Sequence, residues 1–231
     1  MVYLRFFERY PLSSLAVFVI AIPLVLSVYR YRYFDKSFRL LFIFLSLDFV
    51  VGLMMFHLAA HRNNNVWLLN GYVLFRYSLT SGMFYYYYQS ERLKRAVLVS
   101  IVGFVCISLL DIYLSNENLA DWHNHHSGKY SQVLESILII FWVLAYFYEL
   151  IKHLNIHNIV GYPFFWVCAG VLIFYSTNVF YAPFMYYINR WENDLKLGFM
   201  EKIPYLFEIV SLILFSVGIW LTRSHYDIAE S

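Results

Sequence analysis

The stretch Leu40-Leu-Phe-Ile-Phe-Leu-Ser-Leu-Asp-Phe-Val-Val-Gly-Leu-Met-Met-Phe-His-Leu-Ala-Ala60 decides the fold. As a helix rising 1.5 Å per residue it is ~31 Å long, enough to cross the ~30 Å hydrocarbon layer of a bilayer. Phe42 to Leu47 is almost unbroken apolar sequence, and so is Ile137 to Val143. A transmembrane β-barrel would instead alternate apolar and polar residues over segments of about ten.

Working outward, six more apolar stretches of similar length fill nearly all of the chain. The set is 11–29, 40–60, 67–88, 96–115, 133–151, 164–188 and 204–222. Hydrophobic residues make up 61% and charged ones 14%, so a water-soluble fold would lack polar residues to cover its outside. The expectation is an all-α, integral membrane seven-helix bundle occupying 1–231, without repeats or linkers to divide it. Pro11, Pro163 and Pro204 open stretches, where a missing N–H costs nothing. Pro23 and Pro183 fall inside stretches and predict kinks. The tetrad Tyr85 to Tyr88 resembles an interfacial aromatic belt. The first stretch lacks a small-residue processing site and is expected to stay as a helix.

Orientation follows from Lys and Arg. With the N-terminus outside, inner segments hold nine (Arg30, Arg32, Lys36, Arg39, Arg92, Lys94, Arg95, Lys152, Arg223) and outer ones seven (Arg5, Arg9, Arg62, Lys129, Arg190, Lys196, Lys202). The early compact clusters have the most influence on insertion. The expected topology is N-terminus outside and C-terminus cytoplasmic, in a bacterial inner membrane. Cys106 and Cys168 fall at different depths and read as packing residues. A net charge of +2 without a basic stripe excludes a nucleic-acid partner. The loops are too short for a kinase or nucleotide-binding module, so any signal must leave through a separate protein.

Ionisable groups within apolar helices mark function or a structural pair. Asp48 and Arg76 both fall ~12 to 14 Å into the bilayer on this topology, so they predict either an ion pair locking the second and third helices or a ligand or gating role. Nearer the outer face lie His57, Asn70, Glu135, Asn178 and Glu208, with Tyr72 and Tyr175 as hydroxyl donors. Convergence would make an outward pocket with aromatic walls, and Asn70, Tyr72, Arg76, Tyr175, Asn178 and Glu208 are its expected ligand-binding set. Interhelical hydrogen bonding is the competing use of the same residues.

His57 and His61 form an HxxxH pair, and His123, His125 and His126 emerge at the same end. Together they could supply the three or four ligands that zinc needs, which gives an alternative reading as a zinc-dependent intramembrane hydrolase; a small-solute transporter is third. Without that zinc no cofactor is expected. No HExxH or GxSxG occurs, and the seventh stretch holds neither a Lys for retinal nor the HxxxH pair of the ceramidase and adiponectin-receptor hydrolases.

Two segments carry a family resemblance: Asn63-Asn-Asn-Val-Trp-Leu-Leu-Asn-Gly-Tyr72, and Phe164-Phe-Trp-Val-Cys-Ala-Gly-Val-Leu-Ile-Phe-Tyr-Ser-Thr-Asn178. They resemble a set of seven-helix membrane proteins of Bacteroidota, with Asn64, Asn65, Trp67, Trp166, Gly170 and Asn178 as the shared positions. Such proteins are often encoded beside sensor histidine kinases. The resemblance therefore implies a sensor or signalling role with a lipid bilayer, a membrane histidine kinase and a small or lipid-like ligand as partners. Those relatives frequently carry a carboxylate near the position of Arg76, where this chain reverses the local charge.

Overall fold

The computed structural model describes residues 2–116, 118, 121–128, 130–152, 159–190 and 202–229, with the backbone alone for 182–190 and 224–229. The described residues are all-helical, without strands. In chain order the helices are α1 (Val2–Arg9), α2 (Pro11–Val19), α3 (Ala21–Arg30), α4 (Lys36–Ala60), α5 (Val66–Tyr87), α6 (Glu91–Ser115), α7 (Ser131–Lys152), α8 (Pro163–Arg190) and α9 (Ile203–Ala229).

Among the described residues six helical spans are long and apolar enough to cross a membrane: Pro11–Tyr33, Lys36–Ala60, Glu91–Ser115, Ser131–Lys152, Pro163–Tyr181 and Ile203–Arg223. α5 is as long, at 22 residues, but Asn70, Arg76 and its several hydroxyls dilute its hydropathy. Large apolar side chains such as Val25, Val99, Leu114, Phe141, Leu144 and Phe180 point outward and are exposed. In water such a surface would associate; against lipid it is solvated.

The helices close a ring. α2 and α3 touch α4 and α9, α4 packs on α5, α5 on α7, α7 on α8 and α8 on α9, while α6 lies against α5 and α7. The kink expected at Pro23 takes the form of a break between α2 and α3 at Ile20. Pro23 has no N–H for the carbonyl of Val19 four residues back, so the ladder opens there. Pro183 lies where only backbone is described, inside the continuous α8. The short α1 forms a separate helix before Pro11, which the apolar pattern did not announce.

Local chemistry fixes each contact. Asp35 caps α4 by accepting from the Phe38 N–H at 2.8 Å, and Tyr87 of α5 donates to its second oxygen at 2.8 Å. Ser37 donates to the Met83 carbonyl, so the start of α4 and the end of α5 are stapled. The tyrosine tetrad divides: Tyr86 faces outward, while Tyr88 is buried and donates to the Trp142 carbonyl. Tyr87 stacks on Phe164 with centroids 3.8 Å apart. Half of the expected belt is thus interior packing, because these rings cross to α7 and α8. α8 and α9 approach closely because Gly170 and Gly218 admit it: a Cβ on Gly170 would lie 3.0 Å from the Ser211 carbonyl, and one on Gly218 2.8 Å from that of Pro163. Cys106 is exposed and Cys168 buried, both as free thiols.

Candidate functional site

A cavity of about 280 Å3 lies inside the ring, between α2, α4, α5, α8 and α9. Its volume is close to the lower bound for small-molecule sites, roughly 300 Å3. The walls are mainly apolar and aromatic, with Phe44 of α4, Phe174 of α8 and Phe215 of α9 among them. Phe6 of α1 also lines it and packs edge-on against Phe56, centroids 5.3 Å apart, so the N-terminal helix lies across one end.

Asp48, Tyr72, Arg76, Tyr175 and Glu208 are among the polar side chains that line this space, with Ser13, Asn65, Thr80, Tyr205 and Ser211. Helical spacing puts Tyr72 and Arg76 on one face of α5, four residues apart. The ion pair expected between Asp48 and Arg76 is replaced by another. Arg76 grips Glu135 of α7 through both Nε and Nη2, the Nε contact being 2.7 Å. Glu135 is fully buried and also accepts from the Tyr175 hydroxyl at 3.0 Å. The Arg76 guanidinium sits 5.6 to 6.0 Å from the ring centroids of Tyr72, Phe174 and Tyr175. A planar fork on a carboxylate, surrounded by rings, is the geometry guanidinium favours.

Asp48 instead accepts from the Tyr72 hydroxyl at 2.6 Å through Oδ1. A carboxylate has room for about four hydrogen bonds. Glu208, half-buried on α9, has no hydrogen bond or ion pair among the described residues. It is near enough to Asp48 and Arg76 to feel both charges. The cavity therefore presents one neutralised guanidinium–carboxylate unit and two acidic groups with free acceptor capacity.

The other expected residues stand elsewhere. Asn178 turns back on its own helix and donates to the Phe174 carbonyl at 3.0 Å, so it does not line the cavity. A short amide with an acceptor one turn behind is satisfied locally. Asn70 leaves the cavity for the loop, donating to the His126 carbonyl at 2.9 Å and accepting from the Gly128 N–H. Asn64 joins it there, its amide donating to the His123 and His125 carbonyls, both at 2.9 Å. Asn116 holds His126 from the other side, and Asp111 of α6 accepts from Tyr130 N–H, Ser131 N–H and the Ser131 hydroxyl at 3.0, 2.8 and 2.6 Å. Asn64 and Asn70, both in the first quoted segment, thus act as clamps on the 121–130 loop. Sequence reading missed Asp111 as the anchor that starts α7.

His57 and His61 have ring centroids 4.5 Å apart, but Nδ1 of His57 bonds the Tyr3 hydroxyl at 2.8 Å and Nδ1 of His61 the His57 carbonyl at 2.9 Å. His123, His125 and His126 are held by their main chain. Among the described residues no group of three or more His, Cys, Asp or Glu side chains could hold a metal ion.

No family model, curated protein or solved structure matches the chain.

Proposed function

We propose that this chain is a receptor-like or sensor membrane protein that binds a small or lipid-like amphiphile in the cavity and signals through a separate partner. The observation that carries the reading is the partly open cavity with aromatic walls and a polar set at which Asp48 and Glu208 keep acceptor capacity. An amphiphile suits both parts: its body replaces empty volume against Phe44, Phe174 and Phe215, and its head meets the carboxylates and Arg76.

We take all seven long helical segments as spans, with α5 sheltered by α4, α6 and α7, and the N-terminus outside, on the charge pattern above. A ligand shifts a bundle only by binding two arrangements unequally. The break at Ile20 and the α1 helix across the cavity are the elements suited to move, since both touch the wall and neither continues an unbroken helix. The sensor-kinase partner rests on the resemblance of the 63–72 and 164–178 segments.

Fluorine NMR with ring-fluorinated phenethylamine, phenethyl alcohol and phenylacetate tests the site. Gly52 lines the cavity, and a Cβ there makes only ordinary contact, 3.5 Å from Val17, so Gly52→Leu is chosen to place a side chain in that space, with thermal stability measured alongside. Saturable binding of at least one probe to the native protein, lost in Gly52→Leu, is the expected result. Absence of saturable binding, or equal binding in both proteins, would remove the basis for a receptor.

A further inference from the structure

At the opposite end of the bundle Arg30, the last residue of α3, is 5% exposed. Its Nε is buried without a partner, and no carboxylate pairs with it among the described residues. Arginine cannot shed its proton to escape burial. What it has are rings: its guanidinium carbon sits 4.4 Å from the Trp220 centroid and 5.2 Å from that of Tyr29. A buried cation with no anion is an incomplete site.

Trp220 also belongs to a groove of about 300 Å3 on the outside of the bundle, between α2–α3 and α9. Ile22, Leu26, Ile213 and Val217 line it. Its one hydroxyl, on Ser216, is already committed to the Leu212 carbonyl at 2.8 Å. Ile22, Ile213 and Trp220 are more than half exposed, so the groove opens toward the bilayer. Beyond Arg30 the chain turns through Arg32, Lys36 and Arg39, each positioned over an aromatic ring. An apolar groove thus ends at Trp220, whose ring contacts a cation without an anion among the described residues, at the head of a positive segment. That is the charge and shape complement of a lipid with an anionic head.

We propose that this groove seats an acyl chain of an anionic phospholipid whose phosphodiester rests on Arg30. The site is separate from the cavity, and neither proposal depends on the other. Native mass spectrometry of the protein in neutral detergent, offered equal dioleoyl phosphatidylglycerol and dioleoyl phosphatidylcholine, with inorganic phosphate as a third arm, tests it. The native protein should retain phosphatidylglycerol about tenfold over phosphatidylcholine and retain no phosphate alone. Arg30→Gln should bring the ratio near one without changing phosphatidylcholine, and Ser216→Phe, which fills the groove, should lower both lipids. Should Arg30→Gln fail to fold, Arg30→Lys keeps a cation and should keep a preference severalfold above one. Equal retention of the two lipids by the native protein, or a preference that survives Arg30→Gln, would overturn the site. Retention of inorganic phosphate as strong as that of the lipid would overturn the role of the groove.

Discussion

The 121–130 loop and the central cavity use the same kinds of residue to opposite ends. At the loop, Asn64, Asn70, Asn116 and Asp111 each have partners at hydrogen-bond distance, and most of those partners are main-chain groups. In the cavity Asp48 has one partner and Glu208 none among the described residues. Buried polar groups are normally satisfied, so a filled network is architecture and an unfilled one invites a ligand. The difference lies in what surrounds each side chain, which residue type alone does not reveal.

The largest expected effect falls between the two regions, on the Arg76–Glu135 unit. Glu135→Ala removes the bonded carboxylate of Arg76 and the acceptor of Tyr175. Thermal unfolding in detergent should report a loss of about 3 to 5 kcal/mol, the usual consequence of stranding one member of a buried pair. Asp48→Asn should cost far less, because Tyr72 keeps an acceptor. If the two losses prove equal, Arg76 depends on Asp48 as much as on Glu135, and the pairing given above is wrong.

Next comes the loop. Asp111→Ala takes three hydrogen bonds from the start of α7, and a loss of about 2 to 3 kcal/mol is expected, with faster amide exchange at Tyr130 and Ser131. Unchanged exchange there would show that the loop does not need its anchor. Smaller again is Asp121, outside the membrane spans. Hydrogen bonds from the Asn124 side chain and backbone, with one from His123 N–H, hold its carboxyl below the ordinary aspartate range. A lowered carboxylate adds order above its unfolded pKa, and that order fades as pH falls through the folded value. Exchange at His123 and Asn124 should therefore rise selectively on acidification below about pH 4, once intrinsic rates are corrected. Loss of protection on raising the pH instead would reverse the sign.

Helix positions were legible because hydropathy acts along the chain: 40–60 against Lys36–Ala60, 67–88 against Val66–Tyr87 and 133–151 against Ser131–Lys152. Depth was read less well: residue counting set Asp48 and Arg76 apart from Tyr72, Tyr175 and Glu208, whereas all five line one cavity. Rotation and neighbour choice were not legible. Counting residues from a helix start gives height in the bilayer, yet the helix beside Arg76 at that height is α7 with Glu135, as well as α4 with Asp48. Asn178 failed as a cavity residue for a local reason, since its own α8 carbonyl was within reach. His57 and His61 bond Tyr3 and the His57 carbonyl, and the 123–126 segment meets Asn64 and Asn70 through main-chain carbonyls, contacts that residue type does not announce. α1 escaped notice because eight residues with two arginines do not resemble a span.

The contrast between filled and unfilled polar networks is tested most directly by measuring thermal stability and phenethyl-probe binding together on two variants, Glu208→Gln and Asn70→Ala. Glu208→Gln breaks no bond among the described residues, so stability should move by less than about 1 kcal/mol while probe affinity changes at least tenfold. Asn70→Ala releases His126 and Gly128, so stability should fall by about 1 to 3 kcal/mol while affinity stays within twofold. If both variants lose stability together and neither changes affinity, Glu208 is architecture like Asn70 and the cavity is not a binding site.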